Sequence, residues 1–269
     1  MSESVVSEIK RKYMHKLAQA NKRIDGRSFN EYRPLRIETG IIKKAEGSAK
    51  VELGNTKTLV GIKLEQGEPY PDTPDSGVLT TNAELIPMAS PEFEAGPPDE
   101  NAIELARVVD RGIRETEVID LEKLCIEPGE KVWIVFVDIH VLDYDGNLFD
   151  ASSLAALAAL LTAKVPNERF DMGEDEPLPI KNDPPISCTF VKYGGVIAVD
   201  PCLEEEIIAE ARLTVATDKD GNIRAMQKGL SGSFTIEEVR KIIKAAIDNG
   251  ARIRKILNES TGREDGKEN

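Results

Sequence analysis

Long apolar runs are missing from this sequence. None approaches the ~18 residues of a membrane-spanning helix, and the N-terminus, with Glu3, Glu8, Lys10, Arg11 and Lys12, has no apolar signal-peptide core. A cytoplasmic protein without membrane contact is therefore expected. Cysteine is scarce: Cys125, Cys188 and Cys202 are odd in number, widely spaced and form no CxxC pair. That pattern fits reduced thiols and argues against a disulfide or zinc framework. Histidine is scarcer still. His15 falls on an N-terminal helix and His140 within a strand, so one is expected to be exposed and the other packed. With no GxSxG motif near either, a nucleophile-triad hydrolase has no support. No resident metal or cofactor is expected. Positive charge is also in deficit: 35 Lys plus Arg face 48 Asp plus Glu, a formal charge of -13. An independent, broadly basic nucleic-acid binder is thereby disfavoured.

What is there describes a globular chain. Its 269 residues are 40% hydrophobic and 31% charged, enough to bury a real core in one large domain or two smaller units. From Glu3 to Asn21, Val5, Val6, Ile9, Tyr13, Leu17 and Ala18 recur at helical spacing, an amphipathic helix that docks on something. From Gly47, Ala49, Val51 and Leu53 alternate with Lys50 and Glu52, then Gly54-Asn55 turns the chain into Leu59, Val60, Ile62 and Leu64. This predicts a β-hairpin.

Seven of the fifteen prolines lie between Gly67 and Pro98, so this stretch reads as extended, with a short strand near Ala83 to Met88. Asp99 opens a helix from Asn101 to about Thr116. Lys131 to Leu142 is apolar on both faces and predicts a strand covered on both sides. Asp150 is expected to cap a helix through Leu161 that is apolar nearly all round. Strands follow at Ile186 to Val191 and Val196 to Val199, then a hairpin of Arg212 to Ala216 and Ile223 to Lys228 about Asp220-Gly221. Thr235 and Glu238 form a capping box for a last helix. The order predicts a mixed α+β fold of two similar halves around shared helices. Its expected parts are a docking helix (residues 1–22), two halves (23–165 and 166–258) and a frayed tail (259–269).

Three constellations could carry chemistry. On the helix near residue 110, Arg107, Arg111 and Arg114 fall within about 60° of arc at ~100° per residue, opposite Leu105, Val108, Val109 and Ile113. They read either as a solvated face laced by Glu104, Asp110 and Glu115, or as a stripe that tracks phosphates. The second constellation is Glu204, Glu205, Glu206 and Glu210 after Asp200. These acids could hold Mg²⁺ or act in acid-base catalysis, or they could simply complement a helix N-terminus. The third is the turn Asp143-Tyr-Asp-Gly-Asn-Leu-Phe-Asp150, which feeds a helix N-terminus, a ready anion site. Asp150 would place negative charge where the anion must sit, and no Lys or Arg accompanies it.

Arg23-Ile-Asp-Gly-Arg27, with Tyr32-Arg33-Pro34, resembles the opening signature of the RNase PH family of phosphorolytic ribonucleases. Residues 97–111, from Pro97 to Arg111, are similar to one branch of it, the non-catalytic RNase PH-like subunit of the archaeal exosome. The resemblance runs from Lys22 to Asn258. It implies a duplicated βαβ-type fold, like domain 2 of ribosomal protein S5, with mixed sheets and central buried helices. It also implies a hexameric ring with a catalytic paralogue, RNA-binding cap subunits, and 3′-to-5′ degradation of single-stranded RNA with phosphate as nucleophile.

Active members carry a Gly-Thr-Arg-Thr-like phosphate loop where this chain has Gly146-Asn-Leu-Phe149-Asp150. They also carry two aspartates where it has Glu206 and Arg212. The resemblance therefore implies a subunit inactive alone, with no catalytic residue, whose Arg107 and Arg111, and less directly Arg114, bind RNA for the neighbouring site. Two other readings stay open: an active phosphate-dependent exoribonuclease using the Glu204–Glu210 cluster, and a ring scaffold that never touches RNA.

Overall fold

The computed structural model describes residues 5–263. Alternating side chains build the first sheet. Strand β1 (Leu35–Thr39) pairs with β2 (Gly47–Leu53), and β2 turns through Gly54-Asn55 into β3 (Thr56–Gly67). In β3, Thr58, Val60, Ile62 and Leu64 are buried, while Lys57, Leu59 and Lys63 between them are partly exposed, the pattern of a sheet with one face packed on a core. Strand β4 (Val78–Leu85) leads into a core helix, Glu100–Arg114. The chain returns through the short β5 (Cys125–Glu127) and the long β6 (Lys131–Asp143). The sheet order is β1-β2-β3-β6-β4, and β4 and β6 run parallel on either side of the Glu100–Arg114 helix, a βαβ unit.

The Glu100–Arg114 helix is preceded by an N-terminal helix, so in chain order the helices are α1 (Val5–Gln19), α2 (Glu100–Arg114), α3 (Leu148–Leu161), α4 (Leu203–Ile208) and α5 (Ile236–Thr261). After α3, a two-residue pair, β7 (Lys164–Val165) and β8 (Glu176–Pro177), leads to the second sheet. This sheet contains β9 (Ile186–Tyr193), β10 (Val196–Val199), β11 (Ala211–Thr217) and β12 (Ile223–Gly229), in the order β10-β9-β11-β12. Its pairs are all antiparallel. Each half contributes a sheet and helices; the parallel crossover lies in the first, where α2 joins the neighbouring strands β4 and β6.

Helix α3 is the centre of the molecule. It packs on β2 and β3 on one side and on β9 and α5 on the other, with every residue from Phe149 to Leu160 buried. Its alanines allow the sheets to close on it. At Gly47 of β2, an added Cβ would lie 2.4 Å from the Ala159 carbonyl oxygen and 2.7 Å from the Ala163 Cβ. Helix α5 starts at the expected capping box, where Thr235 Oγ1 accepts from the Glu238 amide and Glu238 reaches back to the Thr235 amide. Helix α1 docks on its own chain: Met14 and Ala18 pack with Val191, Tyr193, Ala198 and Ile208, and Ile9 and Tyr13 stay exposed.

Several sequence expectations need correction. The strand expected at Ala83 to Met88 lies earlier, at Val78–Leu85, and β1 was not anticipated. Strand β6 is buried on one face only. Val135, Val137, Ile139 and Val141 join the core with Leu105 and Val109 of α2, whereas Ile134, Phe136, Asp138 and His140 are half-buried. Neither histidine is packed; His15 and His140 are both half-buried. Helix α3 begins before Asp150, as described below. Helix α5 runs through Thr261 to a Gly262 cap, so residues 259–261 are helix. The rest of the expected tail, residues 264–269, lies outside the described residues.

Gly47→Ala is expected to destabilise the fold by about 1–3 kcal/mol, the usual range for overpacking a close contact. A lowered urea midpoint at unchanged denaturant slope would register it.

Candidate nucleic-acid interface and the closed pocket beside it

The motif Arg23-Ile-Asp-Gly-Arg27 reaches across to the second half of the chain. Arg23 is buried and grips Glu205 of α4, its Nε donating to Oε1 at 2.8 Å and its Nη2 to Oε2 at 2.5 Å. It also donates to the Val199 and Asp200 carbonyls. Tyr193 and the Cys202 amide complete the shell around Glu205. Burial opposes the Arg23 charge, but Glu205 outweighs it and raises the pKa.

Asp200, in the left-handed region at φ +47°, is the second hub. Its fully buried carboxylate accepts from Arg33 Nε (3.0 Å), Arg33 Nη2 (2.8 Å), the Arg33 amide (2.8 Å), Arg27 Nη1 (2.9 Å) and Asn147 Nδ2 (2.8 Å). Burial pushes this carboxyl up, yet Arg33 and the other donors hold it below its ordinary value.

Asn147 caps α3, in place of the expected Asp150. Its φ of +57° is left-handed, and its side chain accepts from the Asp150 amide. Gly146 before it cannot carry a side chain, since a Cβ would lie 2.5 Å from the Cys202 carbonyl carbon. Asp150 instead sits buried in the first turn. It accepts from Asn147 Nδ2, Tyr32 Oη, and the amide and hydroxyl of Thr189. Burial outweighs these bonds and raises its pKa to about 6.

At the mouth of α3 the Asn147 amide donates to Glu206 Oε1 at 2.9 Å, and Tyr144 Oη donates to Oε2 at 2.8 Å. Burial raises the pKa of Glu206. A carboxylate of the chain therefore lies where a phosphate-binding loop would hold its anion. Beside it Arg212 of β11 stacks over Phe149, Cζ 4.3 Å from the ring centre, and its Nη2 pairs with Glu104 of α2 at 2.7 Å. Phe149, Glu206 and Arg212, singled out separately in the sequence, thus meet in one place. Glu210 accepts from the Gly194 amide. Glu205, Glu206 and Glu210 are each engaged, and among the described residues no group of three or more His, Cys, Asp or Glu side chains is placed to hold a metal ion.

The arginine stripe divides. Arg114 is tied down: it pairs with Asp110 at 2.9 Å and donates to the Leu79 carbonyl at 2.9 Å. Arg107 and Arg111 are exposed and, among the described residues, meet no hydrogen-bond or ion-pair partner. Sequence reading missed Tyr144, Asn147 and Thr189. The Asp143-Tyr-Asp-Gly-Asn turn was a visible signal for the first two; nothing local marked Thr189.

Two sheets closed on an alanine-rich helix, with an N-terminal Asp-Gly-Arg segment clamped to the far half, define an RNase PH-like pair of domains. Models of the 3′ exoribonuclease family match in both parts, domain 1 over residues 31–166 and domain 2 over residues 183–249. The chain belongs to this RNase PH family of 3′ exoribonucleases. It is similar to exosome complex component Rrp42 of Methanocella arvoryzae, 56% identical over 257 residues that cover 96% of this chain and 98% of the relative. Exosome complex component Rrp42 of Archaeoglobus fulgidus is 59% identical over 238 residues, 88% of this chain and 91% of the relative. Among solved structures, a chain of the Archaeoglobus fulgidus exosome with RNA bound to the active site superposes with a TM-score of 0.91 at 54% identity, covering 94% of this chain and 99% of that one. Among the described residues no helix is long and apolar enough to cross a membrane.

Two measurements follow from the buried carboxylates. Glu205→Gln leaves the Arg23 charge buried without its partner and is expected to cost about 3–5 kcal/mol by denaturant titration. Asp150 is raised from 3.8 to about 6, so its contribution to stability is complete below its unfolded value and is lost as pH rises through the folded one. The stability of wild type minus that of Asp150→Asn should therefore fall between pH ~4 and ~6; a flat difference curve would contradict this.

Proposed function

We propose that this chain is a non-catalytic subunit of a cytoplasmic exosome. In this reading it alternates with a catalytic RNase PH-like paralogue in a hexameric ring, a trimer of heterodimers that carries RNA-binding cap subunits. It guides single-stranded RNA with Arg107 and Arg111 toward the neighbour's site for 3′-to-5′ phosphorolysis. The observation that carries the reading is Glu206 at the mouth of α3, bound to the Asn147 amide and Tyr144. A phosphate there would meet one carboxylate directly and the Asp150 carboxylate close behind.

The neighbouring side chains support the same conclusion. Phe149 offers a ring where the resemblance calls for a phosphate-binding arginine, and the cations near it are already paired, Arg212 with Glu104 and Arg33 with Asp200. Loss of an active-site acid alone typically removes ~10²- to 10⁴-fold of rate, and here the anion site is lost as well. Glu205 and Glu206, engaged as described, do not offer the free carboxylates that an alternative active site would need.

RNA contact rests on Arg107 and Arg111. They stand four residues apart, about 6 Å along the helix axis, exposed and without acceptors among the described residues. Guanidinium groups so presented suit phosphate oxygens. Arg114, held by Asp110 and the Leu79 carbonyl, contributes to the helix anchor and not to RNA. The chain's similarity to exosome components, and to a chain from an exosome structure with RNA bound, supports the assembly.

With labelled single-stranded RNA and inorganic phosphate, the isolated chain is expected to release no nucleoside diphosphate; release by the chain alone would overturn the reading. In the ring assembled with the catalytic paralogue, reversing Arg107 and Arg111 to Glu should weaken RNA capture and reduce the salt slope by about two, one per lost phosphate contact. Unchanged capture would favour a scaffold that does not touch RNA.

A further inference from the structure

We propose that Arg212 is a positioning residue for the RNA-contacting helix. By pairing with Glu104 while sitting over the Phe149 ring, it ties α2 to the second half of the chain and sets the rotation at which Arg107 and Arg111 are presented. The inference rests on the proposed RNA contact of those two arginines and adds the device that aims them.

Helix geometry places Glu104 on the presenting face. At ~100° per residue, Arg111 falls about 20° from Glu104 and Arg107 about 60° from it, on the same side. A force on the Glu104 side chain therefore acts on the rotation and tilt of the surface that carries both arginines. Among the described residues their side chains have no acceptor, so their position is set by the helix that carries them and not by local pairing.

The helix is held at two polar points in addition to its buried stripe of Ala102, Leu105, Val109 and Ile113. Near its C-terminus, Asp110 accepts from Thr81 and from Arg114, which also reaches the Leu79 carbonyl; both partners lie on β4 of the first half. Near its N-terminus, Glu104 accepts from Arg212 of β11, 108 positions away in sequence and in the other half. Arg107 lies between the two tethers and Arg111 beside the second. The buried stripe fixes which face of the helix turns inward, and a hydrogen-bonded ion pair at its edge adds a directional restraint on the remaining roll and tilt.

The Arg212 side is constructed to be stiff. Its guanidinium lies 4.3 Å over the Phe149 ring, and Phe149 is buried in the first turn of α3. Its cross-strand neighbour is Gly229, where an added Cβ would lie 2.7 Å from Nη2 and 3.0 Å from Nε. The glycine thus leaves the space that the guanidinium fills. Arg212 Nε is buried with no acceptor, a cost consistent with an orientation set by the ring and by Glu104. The pair is partly shielded, at 16% exposure for Arg212 and 35% for Glu104, so water screens it less than a surface pair. Arg212 touches neither the presented arginines nor any reacting group. Its influence passes through Glu104.

The experiment compares Arg212→Gln, Gly229→Ala and the reciprocal exchange Glu104→Arg with Arg212→Glu, alongside the double reversal of Arg107 and Arg111 to Glu as reference. In the free full-length chain, hydrogen exchange of α2 amides at residues 100–108 should quicken in Arg212→Gln and Gly229→Ala, while those of α5 stay unchanged. In the ring assembled with the catalytic paralogue, the same two variants should raise KM for RNA by about three- to tenfold at unchanged kcat, and the reciprocal exchange should recover at least part of the loss. Gly229→Ala retains every charge, so its effect cannot be assigned to a changed net field.

If α2 exchange is unaltered, or if KM stays at the wild-type value while the Arg107 and Arg111 reversal raises it, the positioning role is overturned and the RNA-contact reading stands. If the reversal itself leaves KM unchanged, both fall. A drop in kcat with unchanged KM would also overturn the positioning role, since it would point to a damaged ring instead of a misdirected helix.

Discussion

The buried carboxylate of Asp200 is the constraint on which the remainder of the structure depends. Five donors on three residues converge on it: Arg27 and Arg33 from the N-terminal signature, and Asn147 from the entry to α3. Asp200 itself belongs to the second half. A charge taken out of water is tolerable only when its partners are present and well aligned, so the two sheets and the helix between them must come together in one arrangement to satisfy it. The adjoining Arg23–Glu205 pair applies the same demand a few residues away. The Asp-Gly-Arg signature thereby acts as a clamp between the halves.

That clamp also determines what the mouth of α3 can bind. Asn147 is fixed by Asp200 and Asp150 through its side chain, which leaves its amide pointing at Glu206. The helix terminus is satisfied from within, and the cation nearby is directed to Glu104. The same chemistry that serves anion recognition elsewhere, helix amide and guanidinium, is here closed upon the protein's own carboxylates. The formal charge of -13 takes its meaning from this. The acids are not spread as a uniform repulsive skin: several are buried and paired, while Arg107 and Arg111 remain presented on α2. A body of this kind does not attract RNA at long range.

Much of the fold was legible because it depends on neighbours in sequence. The Gly47–Leu53 and Thr56–Gly67 hairpin announced itself by alternation and a Gly-Asn turn, and α5 by its Thr235–Glu238 box. The all-round apolar character of residues 151–161 correctly placed α3 between layers. Where reading failed, distant packing had decided the matter. The outer face of β6 is apolar in sequence yet half-buried, because α2 joins the core on the other face. Asp150, a good cap by residue type, was displaced by Asn147, whose left-handed backbone and bond to Asp200 suit the turn better.

The sequence by itself determined most of the strands and helices, and the family, since periodicity, capping residues and motif order are written locally in the chain. It also placed three arginines on one face of α2, but their fates were settled by what the tertiary structure brought near them: β4 engaged Arg114, and nothing among the described residues engaged Arg107 or Arg111. The pairing of Glu104 with Arg212, and of Glu206 with the mouth of α3, joins residues 108 and 59 positions apart. No local pattern encodes such a contact. It exists only once the two sheets have closed on α3, because charge and hydrogen bonding are satisfied by proximity in space and not by order along the chain.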